Sequence, residues 1–399
     1  MSGPPIRDGA VLIGEDGKLV AIGPDSSVPR PTDAESSGWP AAVILPGLVN
    51  THTHLELTGF AGQAEEADFP AWIRRIRALK AERTPADFLA AARAGLAACH
   101  ASGVTTVADT GDSGAVIEAM AEAGGSGIAY HEVFGPHPDQ LRESLGGLQQ
   151  RVAELRRFTS ARVRLGVSPH APYTVSAELY VAVARLAERE GLPIAVHLAE
   201  SEAESEFLHE ASGPFAEAWT LRGIPLPPLP GRSPVAWLDA HGVLGERTLA
   251  IHVVQAGPAD VARLAERRSA VAHCPRSNRR HGHGMAPLGA FLEAGLRVGV
   301  GTDSEASVGA LDLLGEARAA RALAGLSAEQ GLALATREAA RALGLEDEVG
   351  SLAPGYWGDV AVAGIPAAGG PEEAMEAALA SAPGDVLETM LAGRTVYRR

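Results

Sequence analysis

Three stretches of this 399-residue chain carry residue types that can bind a cation or move a proton: His52-Thr53-His54, His197-Leu198-Ala199-Glu200 and Gly301-Thr302-Asp303. Side chains on an extended strand repeat with period two, so His52 and His54 fall on one face and their rings converge. An H-x-H pair by itself suits packed or surface histidines equally well. His197, His252, His273 and Asp303 change that balance, because each closes a separate apolar run downstream. A site of His52, His54, His197 and Asp303 supplies three neutral imidazoles and one carboxylate. That donor set suits one divalent ion, Zn²⁺ first and Fe²⁺ or Mn²⁺ as alternatives, with room left for water.

Other chemistries lose support. His131-Glu132 and His209-Glu210 are followed by Gly where H-E-x-x-H needs its second His, and no P-C-x-x-C occurs. G-x-S-x-G, a Walker A loop and a Rossmann fingerprint are also missing from the sequence. The two cysteines, Cys99 and Cys274, are too few for a disulfide framework, which fits a reducing cytoplasm. With 34 Lys and Arg against 49 Asp and Glu, the formal charge of -15 disfavours nucleic acid and anionic lipid. No apolar run approaches the ~18 residues of a membrane span, and no secretory leader opens the chain, so export and membrane insertion are not expected.

The elements that must position these residues alternate. Eight strand-like runs, at 43–54, 104–110, 128–134, 163–170, 194–197, 249–254, 270–273 and 298–303, are separated by helical segments such as 86–100, 177–190 and 259–267. This rhythm predicts an α/β fold, a (β/α)8 TIM barrel, whose strand C-termini share the rim where active sites are built. Residues 9–23 read as a hairpin around Asp16-Gly17, and 359–363 and 386–397 as further strands. The expected division is therefore a small β-sandwich domain from 1–45 and 350–399, flanking a catalytic barrel over 46–349. Residues 201–247, with a Pro-rich stretch at 225–234, form a long insertion that should cover something.

Pro46-Gly47-Leu48-Val49-Asn50-Thr51-His52-Thr53-His54, Ser168-Pro169-His170-Ala171-Pro172-Tyr173-Thr174, His197-Leu198-Ala199-Glu200 and Gly301-Thr302-Asp303 together resemble the amidohydrolase superfamily. His273-Cys274-Pro275-Arg276-Ser277-Asn278 with Ala286-Pro287 is similar to its aminohydrolase branch, which deaminates purines, S-adenosylhomocysteine and related ring amines. A narrower likeness, to bacterial 6-aminodeoxyfutalosine deaminases of the futalosine route to menaquinone, rests on His54-Leu55-Glu56-Leu57, Phe69-Pro70-Ala71-Trp72-Ile73, Gly213-Pro214-Phe215 and Ser233-Pro234-Val235. Arg279-Arg280-His281-Gly282-His283-Gly284 departs from that family's usual small polar and Lys residues.

The resemblance implies that His52, His54, His197 and Asp303 hold the ion, that Glu200 and His252 are catalytic, and that Asp303 also takes a proton. Glu200 would shuttle a proton to a substrate ring nitrogen, its bland alternative being a solvated glutamate in an acidic stretch with Glu202, Glu204 and Glu206. His252 would support the developing tetrahedral centre. His170 resembles a substrate contact, and His273 a residue holding Asp303 from behind. Phe69 and Trp72 would wall a heteroaromatic ring or, at a spacing of three, pack as a helix stripe. Glu56 and Arg276 would meet ribose hydroxyls or a carboxylate, or form surface ion pairs. His281 and His283 are read as an exposed glycine-rich loop before a second metal site.

The expected reaction is hydrolytic loss of an exocyclic amine from a small nucleoside-like substrate, 6-aminodeoxyfutalosine above all. Alternatives are S-adenosylhomocysteine, methylthioadenosine or guanine deamination, triazine chlorohydrolysis, and an inactive barrel scaffold. Family habit points to a homodimer.

Overall fold

The computed structural model describes residues 3–66, 68–227 and 231–399. An antiparallel hairpin, β1 (Gly9–Ile13) and β2 (Leu19–Pro24), turns at Asp16-Gly17. Gly17 has φ +77°, and a Cβ there would lie 2.8 Å from Ala392, so the turn has room only for glycine. The chain next forms β3 (Ala42–Pro46) and then enters the barrel with β4 (Leu48–Thr53), β5 (Val104–Gly111), β6 (Ser126–Val133), β7 (Val163–Pro169), β8 (Ile194–Leu198), β9 (Thr248–His252), β10 (Ala270–His273) and β11 (Arg297–Val300). It ends in β12 (Val360–Gly364), β13 (Val386–Leu391) and β14 (Arg394–Arg398).

The eight strands β4 to β11 are parallel neighbours in chain order, with helices between them, which is the expected (β/α)8 architecture. Strands such as β8 and β9 are buried along their whole length, because helices cover the outside and packed side chains fill the inside. The barrel closes through a single bridge, Thr53 to Asp303. Asn50 reinforces this seam: its Nδ2 donates to Thr302 Oγ1 at 2.8 Å, and its Oδ1 accepts from Thr302 N at 3.1 Å. The antiparallel sheet β14-β13-β12-β3 draws strands from both ends of the chain, and the β1–β2 hairpin is bridged to it at Lys18–Trp357, just before β12.

One element differs from the sequence reading. The run at 43–54 is two strands, not one, because β3 pairs with β12 outside the barrel while β4 pairs with β5 inside it. Gly47 marks the crossing, where an added Cβ would sit 2.1 Å from Thr105 Oγ1. Helix boundaries follow local chemistry closely: Thr84 and Asp87 form a capping box ahead of the helix Pro85–Ala101, and Gly191 in the left-handed region ends Ala177–Glu190. Among the described residues, no helix is long and apolar enough to cross a membrane.

Candidate functional site

The strand ends bring together the residues singled out for metal binding. His52, His54 and His197 offer donor atoms that all lie within 4.8 Å of one another. His54 Nδ1 sits 2.8 Å from the Thr110 carbonyl and His197 Nδ1 3.2 Å from the His170 carbonyl, so both rings carry their proton on Nδ1. Their Nε2 lone pairs then face each other at 3.2 Å. Two acceptors this close repel unless a cation lies between them. Both ring nitrogens of His52 are buried without a partner, and His52 and His54 Nε2 each stand 3.8 Å from Asp303 Oδ1. Burial holds His52 and His197 well below the usual imidazole pKa, and the neighbouring imidazoles add to it, so the rings are neutral and ready to ligate. The donor set therefore fits a divalent ion.

Asp303 is fixed from two sides, by Ser277 Oγ donating to Oδ2 at 2.6 Å and by Ser304 N donating to Oδ1 at 2.5 Å. His273, expected behind Asp303, is fully buried, and neither of its ring nitrogens has a hydrogen-bond partner; the two serines hold the carboxylate instead. The backbone around the site is strained. Ala199 (φ 50°), His252 (φ 70°), Val253 (φ 50°) and Asp303 (φ 59°) occupy the left-handed region without being glycine, and all lie at or just past strand ends.

Glu200 is buried at 3% exposure, not solvated. Its Oε1 lies 3.5 Å from His252 Nε2 and 3.3 Å from His283 Nε2. Burial pushes its pKa up, but His252 and His283 more than offset this and hold it well below the usual carboxylate range. His252 is oriented through Nδ1, 2.9 Å from Asn278 Oδ1. Glu204, read from sequence as one of several solvated acids, is completely buried; its two oxygens accept from Ala199 N at 2.8 Å and Glu200 N at 2.9 Å. It clamps the turn that aims Glu200, and its spacing of four from Glu200 was the available signal.

The loop at 279–284 is also not what its glycines suggested. The His283 side chain is 3% exposed and packs edge-on against Phe69, with ring centroids 4.5 Å apart, while His281 lies 4.6 Å from Trp72. Phe69 and Trp72 stand on the helix Phe69–Ala81 and stack on each other, so they are a helix stripe and at the same time a wall that presses the loop onto Glu200. Tight aromatic packing overrides the loop composition, and the histidine pair belongs to neither potential metal group found among the described residues.

Two other residues are engaged elsewhere. The Glu56 carboxylate is buried and accepts from Lys80 Nζ at 2.6 Å and from Ser113 N at 3.1 Å, making an interior ion pair and not a surface one. Arg276 stands 3.6 Å from Glu316 and borders a cavity of about 290 Å³ shared with Arg279 and Arg280. His170 stays beside the centre, its ring 4.8 Å from His197, with Nδ1 2.8 Å from Thr174 Oγ1. The insertion after β8 folds as the helices Glu202–Glu210, Gly213–Leu221 and Pro234–Ala240. Phe215 stacks on Tyr173 at 4.0 Å, and Trp219 Nε1 donates to the Tyr173 carbonyl at 2.8 Å, so the insertion covers the loop that carries His170. Of the stretch 225–234, residues 228–230 lie outside the described residues.

Residues 43–396 match the amidohydrolase family. An aminodeoxyfutalosine deaminase of Deinococcus radiodurans is 33% identical over 342 residues, covering 81% of this chain and 78% of that protein. A 5-methylthioadenosine/S-adenosylhomocysteine deaminase of Symbiobacterium thermophilum is 31% identical over 407 residues, 98% of this chain and 89% of its own length. Among solved structures, an adenosine deaminase from Xanthomonas campestris with bound zinc superposes with a TM-score of 0.82 at 25% identity, covering 98% of this chain and 88% of that one.

Proposed function

The chain belongs to the amidohydrolase family and is a hydrolytic enzyme acting on C–N bonds, and from that premise we propose that it deaminates an adenine nucleoside derivative, with aminodeoxyfutalosine as the favoured substrate. The observation that carries this reading is the pair of facing Nε2 atoms 3.2 Å apart, with a buried Glu200 and His252 set beside them. A nucleophile site, a proton carrier and a charge-stabilising imidazole at one strand rim are the parts that hydrolysis of an amidine carbon needs.

His52, His54, His197 and Asp303 would hold the divalent ion, Zn²⁺ being the first candidate. When bound, it lowers the pKa of water from 15.7 to about 7. Glu200 starts ionised, so it first collects a proton from the attacking water and then delivers it to the ring nitrogen beside the amine-bearing carbon. His252, turned by Asn278, supports the charge that develops on that carbon's oxygen. Asp303 accepts a second proton and passes it to the departing amine, which leaves as ammonia. His283 and Phe69 keep solvent from Glu200 during the transfer.

The relative from Symbiobacterium, matching across 98% of this chain, supports a second reading in which methylthioadenosine or S-adenosylhomocysteine is the substrate. Phe134, exposed at 38% with its ring 4.9 Å from His170, offers an aromatic face at the rim and favours a substrate with an extended far substituent. Ammonia release from the zinc-loaded protein, measured across aminodeoxyfutalosine, methylthioadenosine, S-adenosylhomocysteine, guanine and a chlorotriazine, tests both. The highest kcat/KM should fall on aminodeoxyfutalosine; faster turnover of guanine or of the triazine would overturn the adenine-nucleoside reading.

A further inference from the structure

Asp109, near the end of β5, takes no part in the chemistry above, yet it lies against the strand that carries His52 and His54. It is buried at 2% exposure. β5 is the neighbour of β4, and their register slips between Asn50 and Thr53, so the backbone ladder is irregular where the H-x-H segment runs. One side chain makes up the loss. Thr53 Oγ1 donates to Asp109 Oδ2 at 2.8 Å, in preference to the Ala108 carbonyl at 3.3 Å, and Leu55 N donates to the same oxygen at 2.7 Å. These donors belong to the residues on either side of His54. The next residue of β5 takes the ring itself, with the Thr110 carbonyl 2.8 Å from His54 Nδ1.

His54 needs such support because no regular element sets its direction. It follows the last residue of β4 and precedes the single-turn 3₁₀ helix Leu55–Leu57, with φ -129° and ψ 74°. Leu55 N is the first amide of that turn and has no partner within it, so the Asp109 oxygen is its acceptor. Burial pushes the Asp109 carboxyl well above the ordinary carboxylate range, so it stands as the neutral acid. In that form one oxygen is a carbonyl that can accept twice, and the other carries the proton. The geometry matches, since both donors meet on Oδ2. An amide offers the same acceptor; a leucine of similar outline offers none. Any swing of His54 moves its Nε2, which faces His197 Nε2 at 3.2 Å.

We propose that Asp109 is a positioning residue of the metal centre: by holding Thr53 and Leu55 on one oxygen, it fixes the direction in which His54 presents Nε2 and so sets the affinity for the ion. This rests on the reading of His52, His54, His197 and Asp303 as metal ligands, and not on the identity of the substrate. The test is zinc binding by the metal-free protein, measured by competition with a chromophoric chelator, for wild type, Asp109→Leu, Asp109→Asn and Thr53→Val. Circular dichroism confirms the fold of each. Asp109→Leu should weaken zinc binding about 10- to 100-fold, the scale on which groups that hold a metal ligand act. Thr53→Val removes one of the two bonds and should weaken it about fivefold; it decides the matter should the leucine variant not fold. Asp109→Asn keeps the acceptor and should stay within about twofold of wild type. The visible absorption of the cobalt-loaded protein should change in Asp109→Leu and keep its wild-type form in Asp109→Asn, a signature that loss of stability alone does not produce. Unchanged zinc affinity in both Asp109→Leu and Thr53→Val overturns the inference while the metal centre stands. So does an Asp109→Asn as weak as Asp109→Leu, which would mean that a charge and not an acceptor is needed. A wild type that takes up no zinc overturns the reading of the metal centre, and the inference with it.

Discussion

The two ends of the barrel treat buried carboxylates in opposite ways. Asp359, beside the residues that precede β4 and β7, accepts twice from Arg162 at 2.7 Å and once from Ala392 N at 2.8 Å, and its backbone carbonyl receives Gly47 N. Arg162 in turn lies 4.8 Å from the Trp357 ring, so the pair ties barrel to terminal sheet. At the other end, Glu132 has an unpartnered oxygen, His52 two unpartnered nitrogens, and His252 and Asp303 take backbone conformations that side chains resist. The difference teaches how each end is used: one ties its carboxylate to a fixed charge that joins barrel to sheet, and the other leaves acceptors and strained backbone for a ligand to satisfy.

The largest expected effect isolates chemistry from folding. Glu200→Gln keeps the shape but removes the proton carrier, so turnover should drop by about 10²–10⁴-fold with unchanged zinc content by elemental analysis. Activity near wild type would remove Glu200 from the mechanism. Asp359→Asn is the counterpart at the ion-paired end. Stranding the Arg162 charge in the interior should cost about 3–5 kcal/mol of stability in a urea titration while leaving the KM of the folded fraction unaltered. A catalytic defect at full stability would erase the contrast between the ends.

A smaller effect is expected from His283→Gln. Its ring lies 3.3 Å from Glu200 Oε1 and against Phe69, so losing it should reduce kcat by about 10- to 100-fold, the scale of leaving a buried polar group unsatisfied. KM should change little, which steady-state kinetics on the favoured nucleoside would show. An equal rise in KM would mean that His283 grips substrate and does not aim Glu200.

How much of this was legible before the structure depends on the range of the interactions involved. The barrel followed from alternation along the chain, and the convergence of His52, His54, His197 and Asp303 followed from strand ends sharing a rim. The split at Gly47 was not legible, because nothing local distinguishes a strand that changes partners from one that continues. Glu204 and His283 were misjudged for a related reason. Composition placed them among acids and glycines that favour solvent, while burial came from contacts with distant Phe69 and with the folded turn at Ala199. Glu132 was set aside with the failed H-E-x-x-H motif, and its place beside His170 and His197 comes only from the fold.

The smallest effect probes the ion-paired end by pH. His100, near the C-terminus of the helix Pro85–Ala101, receives the Thr389 hydroxyl on its carbonyl, and burial, aided by Arg394, lowers its pKa to about 4. A histidine whose folded pKa lies below its unfolded value of about 6.5 stabilises the fold above that value. The contribution is lost as pH falls toward 4, because the unfolded chain takes the proton first. The expected loss is ~2 kcal/mol between neutral pH and pH 5, at about 1.4 kcal/mol per unit below 6.5. Urea midpoints of zinc-saturated wild type and His100→Gln at both pH values isolate this part, since zinc release from the rim affects both proteins alike. The variant should show a shallower fall by that amount. Parallel curves would mean that acid sensitivity resides wholly at the rim, where the neutral histidines of the candidate metal centre lie.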